Sequence, residues 1–120
     1  MPINLANLTN ITGTTSAYNS VPTGGAIIIN TVQTNHVYKL GTVIAANKTA
    51  SAATVTVVVY RNSSSYYTLA YQMSVPGNAS IVIVGKDNPV YMMDTSSDVL
   101  SAQAGTSNAI DIFASYEDIS

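Results

Sequence analysis

The chain predicts an all-β fold, a single antiparallel β-sandwich or jelly-roll-like barrel of eight or nine short strands. Three observations carry that expectation. Runs rich in β-branched residues and tyrosine recur at a spacing of roughly ten residues, with turn-forming residues between them. No window shows an apolar stripe at the 3.6-residue helical period backed by charge. The 120 residues hold only four basic and six acidic side chains. So little charge cannot guard open strand edges, and the strands must be covered by a second sheet, a neighbouring subunit or a lattice of copies.

The elements follow in order. Residues 1–12 place Ile3, Leu5, Leu8 and Ile11 among Asn and Thr, a pattern suited to an extended arm or an edge strand. The sandwich is expected over residues 13–120. Thr14 to Ser20 reads as a polar strand centred on Tyr18, and Val21-Pro22-Thr23-Gly24-Gly25 as a turn. Ala26 to Thr31 is a short strand with three consecutive Ile. In the longer strand Val37 to Ala46, Val37, Lys39 and Val43 share one alternation, Tyr38 and Leu40 the other.

After a loop at Asn47 to Ser51 comes Thr54 to Tyr60, the strongest strand pattern of the chain. A polar hairpin turn, Arg61 to Ser65, leads into Tyr66 to Gln72, where Tyr67, Leu69 and Tyr71 alternate. Pro76-Gly77-Asn78 is a turn in which Pro fixes φ and Gly permits a positive one. The apolar run Ile81-Val82-Ile83-Val84 suits a strand covered on both faces. Turns at Gly85 to Pro89, Asp94 to Asp98 and Gly105 to Ser107 separate strands at Val90 to Met93, Val99 to Ala104 and Asn108 to Glu117. In the last of these Ile110, Ile112 and Ala114 face one way, Asp111, Phe113 and Ser115 the other. No internal repeat and no second domain is seen.

Composition bounds the function. A chain of this length buries about two thirds of its unfolded surface, enough for a core. Cys is absent, so there is neither a disulfide framework nor a thiolate metal site. Net charge is −2, and Lys39, Lys48, Arg61 and Lys86 stand alone. A nucleic-acid binder needs clustered cations, so nucleic acid is not expected as a partner. No apolar run approaches the roughly 20 residues that span a bilayer, and no membrane is expected. Met1-Pro2-Ile3-Asn4-Leu5 has no basic leader pattern, which points to synthesis in a cytosol. Five Asn-x-Ser/Thr triplets, from Asn7, Asn10, Asn47, Asn62 and Asn78, are read as chance in a chain rich in these residues.

Catalytic signatures are missing. His36 is the only histidine, and with no Cys it lacks co-ligands at metal-binding spacing. Asp94-Thr95-Ser96-Ser97-Asp98 lacks the central Gly and closing Glu of a calcium loop, so its oxygens are expected to bond their own backbone. Glu117 and Asp118 are adjacent on a strand and point to opposite faces, which does not suit an acid–base pair. There is no G-x-S-x-G elbow and no phosphate-binding loop. No enzyme activity, cofactor or metal is expected. Tyr60, Tyr66, Tyr67 and Tyr71 cluster around one hairpin. Three readings stand for them: core packing in a chain with no Trp, a protein interface, or a surface that stacks on sugar rings.

The string from Met73 to Met92, MSVPGNASIVIVGKDNPVYM, resembles a segment of small tailed-phage virion structural proteins of marine and cyanobacterial phages. That group carries VPA(D/N)ASLVV(I/L)xKDxPIYLEEGDS and ends in (V/I)SYEEIS, against Ala114-Ser115-Tyr116-Glu117-Asp118-Ile119-Ser120 here. Asn10-Ile11-Thr12-Gly13 is similar to its ITGKT opening, and Ile44-Ala45-Ala46-Asn47 falls where its IANVDG loop does. The acidic EEGDS turn becomes Met93-Asp94-Thr95-Ser96-Ser97, ahead of Asp98, which position for position loses two charges and the Gly. The resemblance implies a virion structural part with no catalytic residues. Its partners would be other virion proteins, the major capsid protein or the neck and tail proteins.

Residues and resemblance together lead to an expected capsid decoration or cement protein, a homo-oligomer with the trimer favoured. Alternatives are a neck or tail ring at the head-tail connector, and a carbohydrate-binding host-adhesion module. Interface candidates are Ile3, Leu5, Leu8 and Ile11 of the arm and Tyr60, Tyr66, Tyr67 and Tyr71 of the hairpin.

Overall fold

The computed structural model describes residues 10–62 and 64–120. Nine strands run in order: β1 (Ile11–Tyr18), β2 (Ala26–Ile29), β3 (Val37–Asn47), β4 (Ala53–Arg61), β5 (Ser65–Val75), β6 (Ser80–Val84), β7 (Val90–Met93), β8 (Val99–Ala104) and β9 (Ile110–Ile119). All pairings are antiparallel and form two packed sheets. The first has the order β1-β9-β3-β6, with β7 continuing the β6 edge alongside β3; the second has the order β2-β8-β4-β5. First pairs with last, second with next to last, and inward to the β4–β5 hairpin. That nesting is the double-Greek-key pattern of a jelly roll. Residues 1–9, and with them Ile3, Leu5 and Leu8, lie outside the described residues. Ile11 and Thr12 belong to edge strand β1, opposite Ile119 and Asp118.

The core fills the space between the sheets with small and β-branched side chains. Leu40, Val43, Val55, Val57, Met92, Leu100, Ile110 and Ile112 are almost entirely buried. Tyr38 is the one tyrosine in it, with Tyr116 packed against it at 5.0 Å between ring centroids. The β9 alternation is as the sequence indicates: Ile110, Ile112 and Ala114 inward, Phe113 exposed.

Elsewhere the pattern needs correction, and the cause is β-bulges. The β3–β9 register shifts between Leu40 and Thr42. The extra residue puts Val43 in the core with Tyr38 and Leu40, not on the side of Lys39. In β5 the register shifts on both sides of Val57's pairing with Ala70. Tyr67 pairs with inward-facing Val59 and Thr68 with outward-facing Val58, and after the shift Ala70 is inward and Tyr71 outward. Tyr67, Leu69 and Tyr71 therefore do not share a face. The run Ile81 to Val84 is not doubly covered either: β6 is an edge strand and Val82 is 62% exposed.

The turn at Pro76 to Asn78 also works differently from the expectation. The positive φ falls on Asn78, at 57°. Gly77 is there for space, because a Cβ at this position would overlap the Ala50 carbonyl. Asn35, Asn62 and Asn108 take the same left-handed backbone in other turns. Asn is among the few non-glycine residues that do so readily, which accounts for part of the chain's Asn content.

Candidate functional site

Four strands build a concave surface on the outside of the second sheet. β4 contributes Thr56, Val58 and Tyr60; β8 contributes Ser101 and Gln103; β5 contributes Tyr66, Thr68 and Tyr71. The opposite wall is the Gly24-Gly25 turn with Ala26 and Ile27 of β2. The groove encloses about 560 Å³. Cross-strand pairing explains the grouping: Tyr60 lies opposite Tyr66, Val58 opposite Thr68 and Ser101, and Thr56 opposite Gln103. The rings of Tyr60 and Tyr66 meet at 5.8 Å, tilted by 54°. Tyr71 joins them only because of the register shift between Thr68 and Ala70; a second shift follows at Gln72, which has a φ of 46° and donates its N–H to Thr56 Oγ1 at 3.0 Å.

Of the four hairpin tyrosines, then, three face this groove. Tyr67 sits on the other side of the sheet edge, beside Leu69, Val90 and Tyr91, with the Arg61 guanidinium 5.9 Å from its ring centre. Six of the eight tyrosines are exposed. Core packing is therefore not what most of them do; aliphatic side chains fill that space.

The first sheet has a different outer face. Ala17, Phe113, Ile44 and Val82 stand directly opposite one another on β1, β9, β3 and β6. They form one apolar row across the whole sheet, with Phe113 49% exposed. The neighbouring row, Thr15, Ser115 and Thr42, carries only hydroxyls. Ile11 is exposed at the start of β1.

The scattered charges find partners that sequence separation hides. Arg61 donates from Nε and a terminal nitrogen to the two oxygens of fully buried Asp98, at 3.0 and 2.9 Å. Asp98 also accepts the Met93 N–H at 2.9 Å, so this acidic turn does bond its own backbone. Lys48 reaches Asn19, Ser20 and Asp111 at 2.7, 2.7 and 2.9 Å. Burial would push the Asp111 carboxyl up, but the Ser20 N–H and the Lys48 ammonium outweigh it and hold it below the usual carboxylate range. His36 Nδ1 lies 2.5 Å from Asp118, and Lys39 lies 3.9 Å from Glu117. Arg61, Lys48 and Lys39 thus each face a carboxylate. Among the described residues no group of three or more acidic, His or Cys side chains is placed to hold a metal. Asn47 is buried, with its amide donating to Ser51 and Val75 and its oxygen accepting from Thr49, which leaves nothing for a glycan to attach to.

No protein-family model matches this chain, and no curated protein matches it. Sequence reasoning singled out Tyr60, Tyr66 and Tyr71 but missed Thr56, Thr68, Ser101 and Gln103. Their signal was faint: polar residues alternating with buried ones in Thr54 to Tyr60 and Val99 to Ala104.

Proposed function

We propose that the chain is a non-enzymatic structural protein of a bacteriophage virion, a capsid decoration or cement protein that stabilises the head through subunit contacts. The observation that carries this reading is the apolar row of Ala17, Phe113, Ile44 and Val82. A sheet face with a continuous, partly exposed apolar stripe, bordered by hydroxyls on one side and by the Lys48–Asp111 pair on the other, suits a protein that lies against another. Repetition by symmetry turns many such weak contacts into a stable layer. The resemblance of residues 73–92 and 114–120 to tailed-phage virion proteins supports the same reading. The homo-oligomer proposed is a trimer, with the major capsid protein as the further partner and the virion as the location.

Native mass by light scattering across a range of concentrations, followed by copy number per particle from gel densitometry, tests the proposal. A trimer present in hundreds of copies is expected. A ring of six or twelve subunits per particle would move the protein to the neck or tail. A strict monomer absent from particles would overturn the reading.

A further inference from the structure

The groove on the second sheet is built for a ligand of definable chemistry. Its polar groups are held in place by bonds within the protein. Gln103 donates its amide N–H to the Thr23 carbonyl at 2.6 Å, which fixes the amide and turns its oxygen free as an acceptor. Ser101 donates to the Ala26 carbonyl at 2.9 Å, so its lone pairs remain available. Thr56 Oγ1 accepts from the Gln72 N–H, so its hydroxyl hydrogen is left to donate. Fixed acceptors and free donors thus stand side by side on the floor, and the hydroxyls of Tyr60 and Tyr66 add groups that do either.

The groove has no ionised side chain among its lining residues. Phosphate, nucleotide and acidic or basic peptides would each be desolvated there without a counter-charge. The walls are chemically distinct: tyrosine rings on one side, with Tyr66 and Tyr71 63% and 70% exposed, and a glycine turn on the other. Flat apolar ring faces beside mixed hydroxyl and amide groups match a molecule that is itself apolar on its ring faces and hydroxylated at its rim. The volume falls within the usual range for small-molecule sites.

We infer that this groove binds a short neutral oligosaccharide, stacked on Tyr66 and Tyr71 and hydrogen-bonded through Gln103, Ser101 and Thr56. The site lies on the opposite side of the sandwich from the apolar row and does not depend on the virion reading.

A test uses an array of neutral gluco-, manno-, galacto- and N-acetylglucosamine oligomers on the full chain, with titration of the best binder. Binding of at least one series is expected. Tyr66→Ala and Tyr71→Ala should each weaken it by about tenfold or more, the loss typical of a buried aromatic anchor. Tyr67→Ala, on the other side of the sheet edge, should leave it unchanged. Thr68→Arg, at an exposed position, should block the groove while the circular dichroism spectrum stays that of the parent. The inference is overturned if no neutral series binds. It is equally overturned if binding survives both Tyr66→Ala and Tyr71→Ala, or if Tyr66→Ala changes only the native mass, which would make a second copy the occupant.

Discussion

The Asp98 carboxylate has no solvent exposure and is held by Arg61 at the end of β4 and by the Met93 N–H at the end of β7. The main-chain carbonyl of Asp98 also accepts the Val32 N–H at 3.2 Å, so one residue joins three segments. Removing Arg61 strands a buried charge, and its cost belongs to the desolvation of Asp98 more than to the lost attraction. Because the arginine is itself partly exposed, Arg61→Met should cost about 3 kcal/mol, at the low end for a broken buried pair. Adding Asp98→Asn keeps an acceptor for Met93 and removes the charge, and should recover at least part of the loss in urea unfolding. Asp111 gives the pH dependence. Its folded carboxyl is held below the ordinary value, so the unfolded chain takes up the proton first as the pH drops. The stabilisation is complete above the unfolded carboxylate pKa of about 4 and fades below it. Thermal melts of Asp111→Asn should therefore lie below those of the parent at neutral pH and converge with them in acid.

Within single elements, alternation revealed which residues form strands but assigned faces correctly only up to the first bulge. β9 has no bulge among its inward residues, and its faces were legible from Ile110 to Ser115 although it starts and ends two residues later than its pattern indicates; those of β3 and β5 were not. At Gly41 the glycine is at least compatible with a bulge, whereas Leu69-Ala70 has nothing in its composition to announce one. Tyr71 consequently joins Tyr66 in the groove although five residues separate them, an odd number that a regular strand would send to opposite faces. Cross-strand partners such as Arg61 and Asp98 were invisible for a related reason, since nested pairing brings together segments distant in sequence. The turns show a similar division of labour. Turn residues were recognisable, but the reason for Gly77 is the Ala50 backbone on a neighbouring loop, where Asn78 donates its N–H to the Thr49 carbonyl at 2.8 Å. Gly77→Ala should thus separate the two loops and cost about 1–3 kcal/mol, as overpacking does. Gly105→Ala meets the Thr54 hydroxyl instead, which a change of rotamer can move aside. Chemical denaturation should rank Gly77→Ala as clearly the more damaging of the two.

On the scale of the whole molecule, the two sheets put two kinds of surface back to back. One carries the apolar row through Phe113, the other the tyrosine groove, and a core about 10 Å thick separates them. Each outer face can be occupied without obstructing the other. A protein lying on a shell by its first sheet would present its second to the medium. This arrangement makes the consequences of substitution separable. Phe113 is half exposed and its neighbours in the row have no charge, so Phe113→Asp places a carboxylate where an apolar contact would be buried and leaves the core untouched. The folded subunit should survive with an unchanged circular dichroism spectrum. Light scattering should then show loss of the oligomer at every concentration at which the parent holds it, and particles should no longer retain the protein. Tyr66→Ala should do neither. If Phe113→Asp keeps both the parent's mass and its retention on particles, the first sheet is not the contact face, and the apolar row has another use.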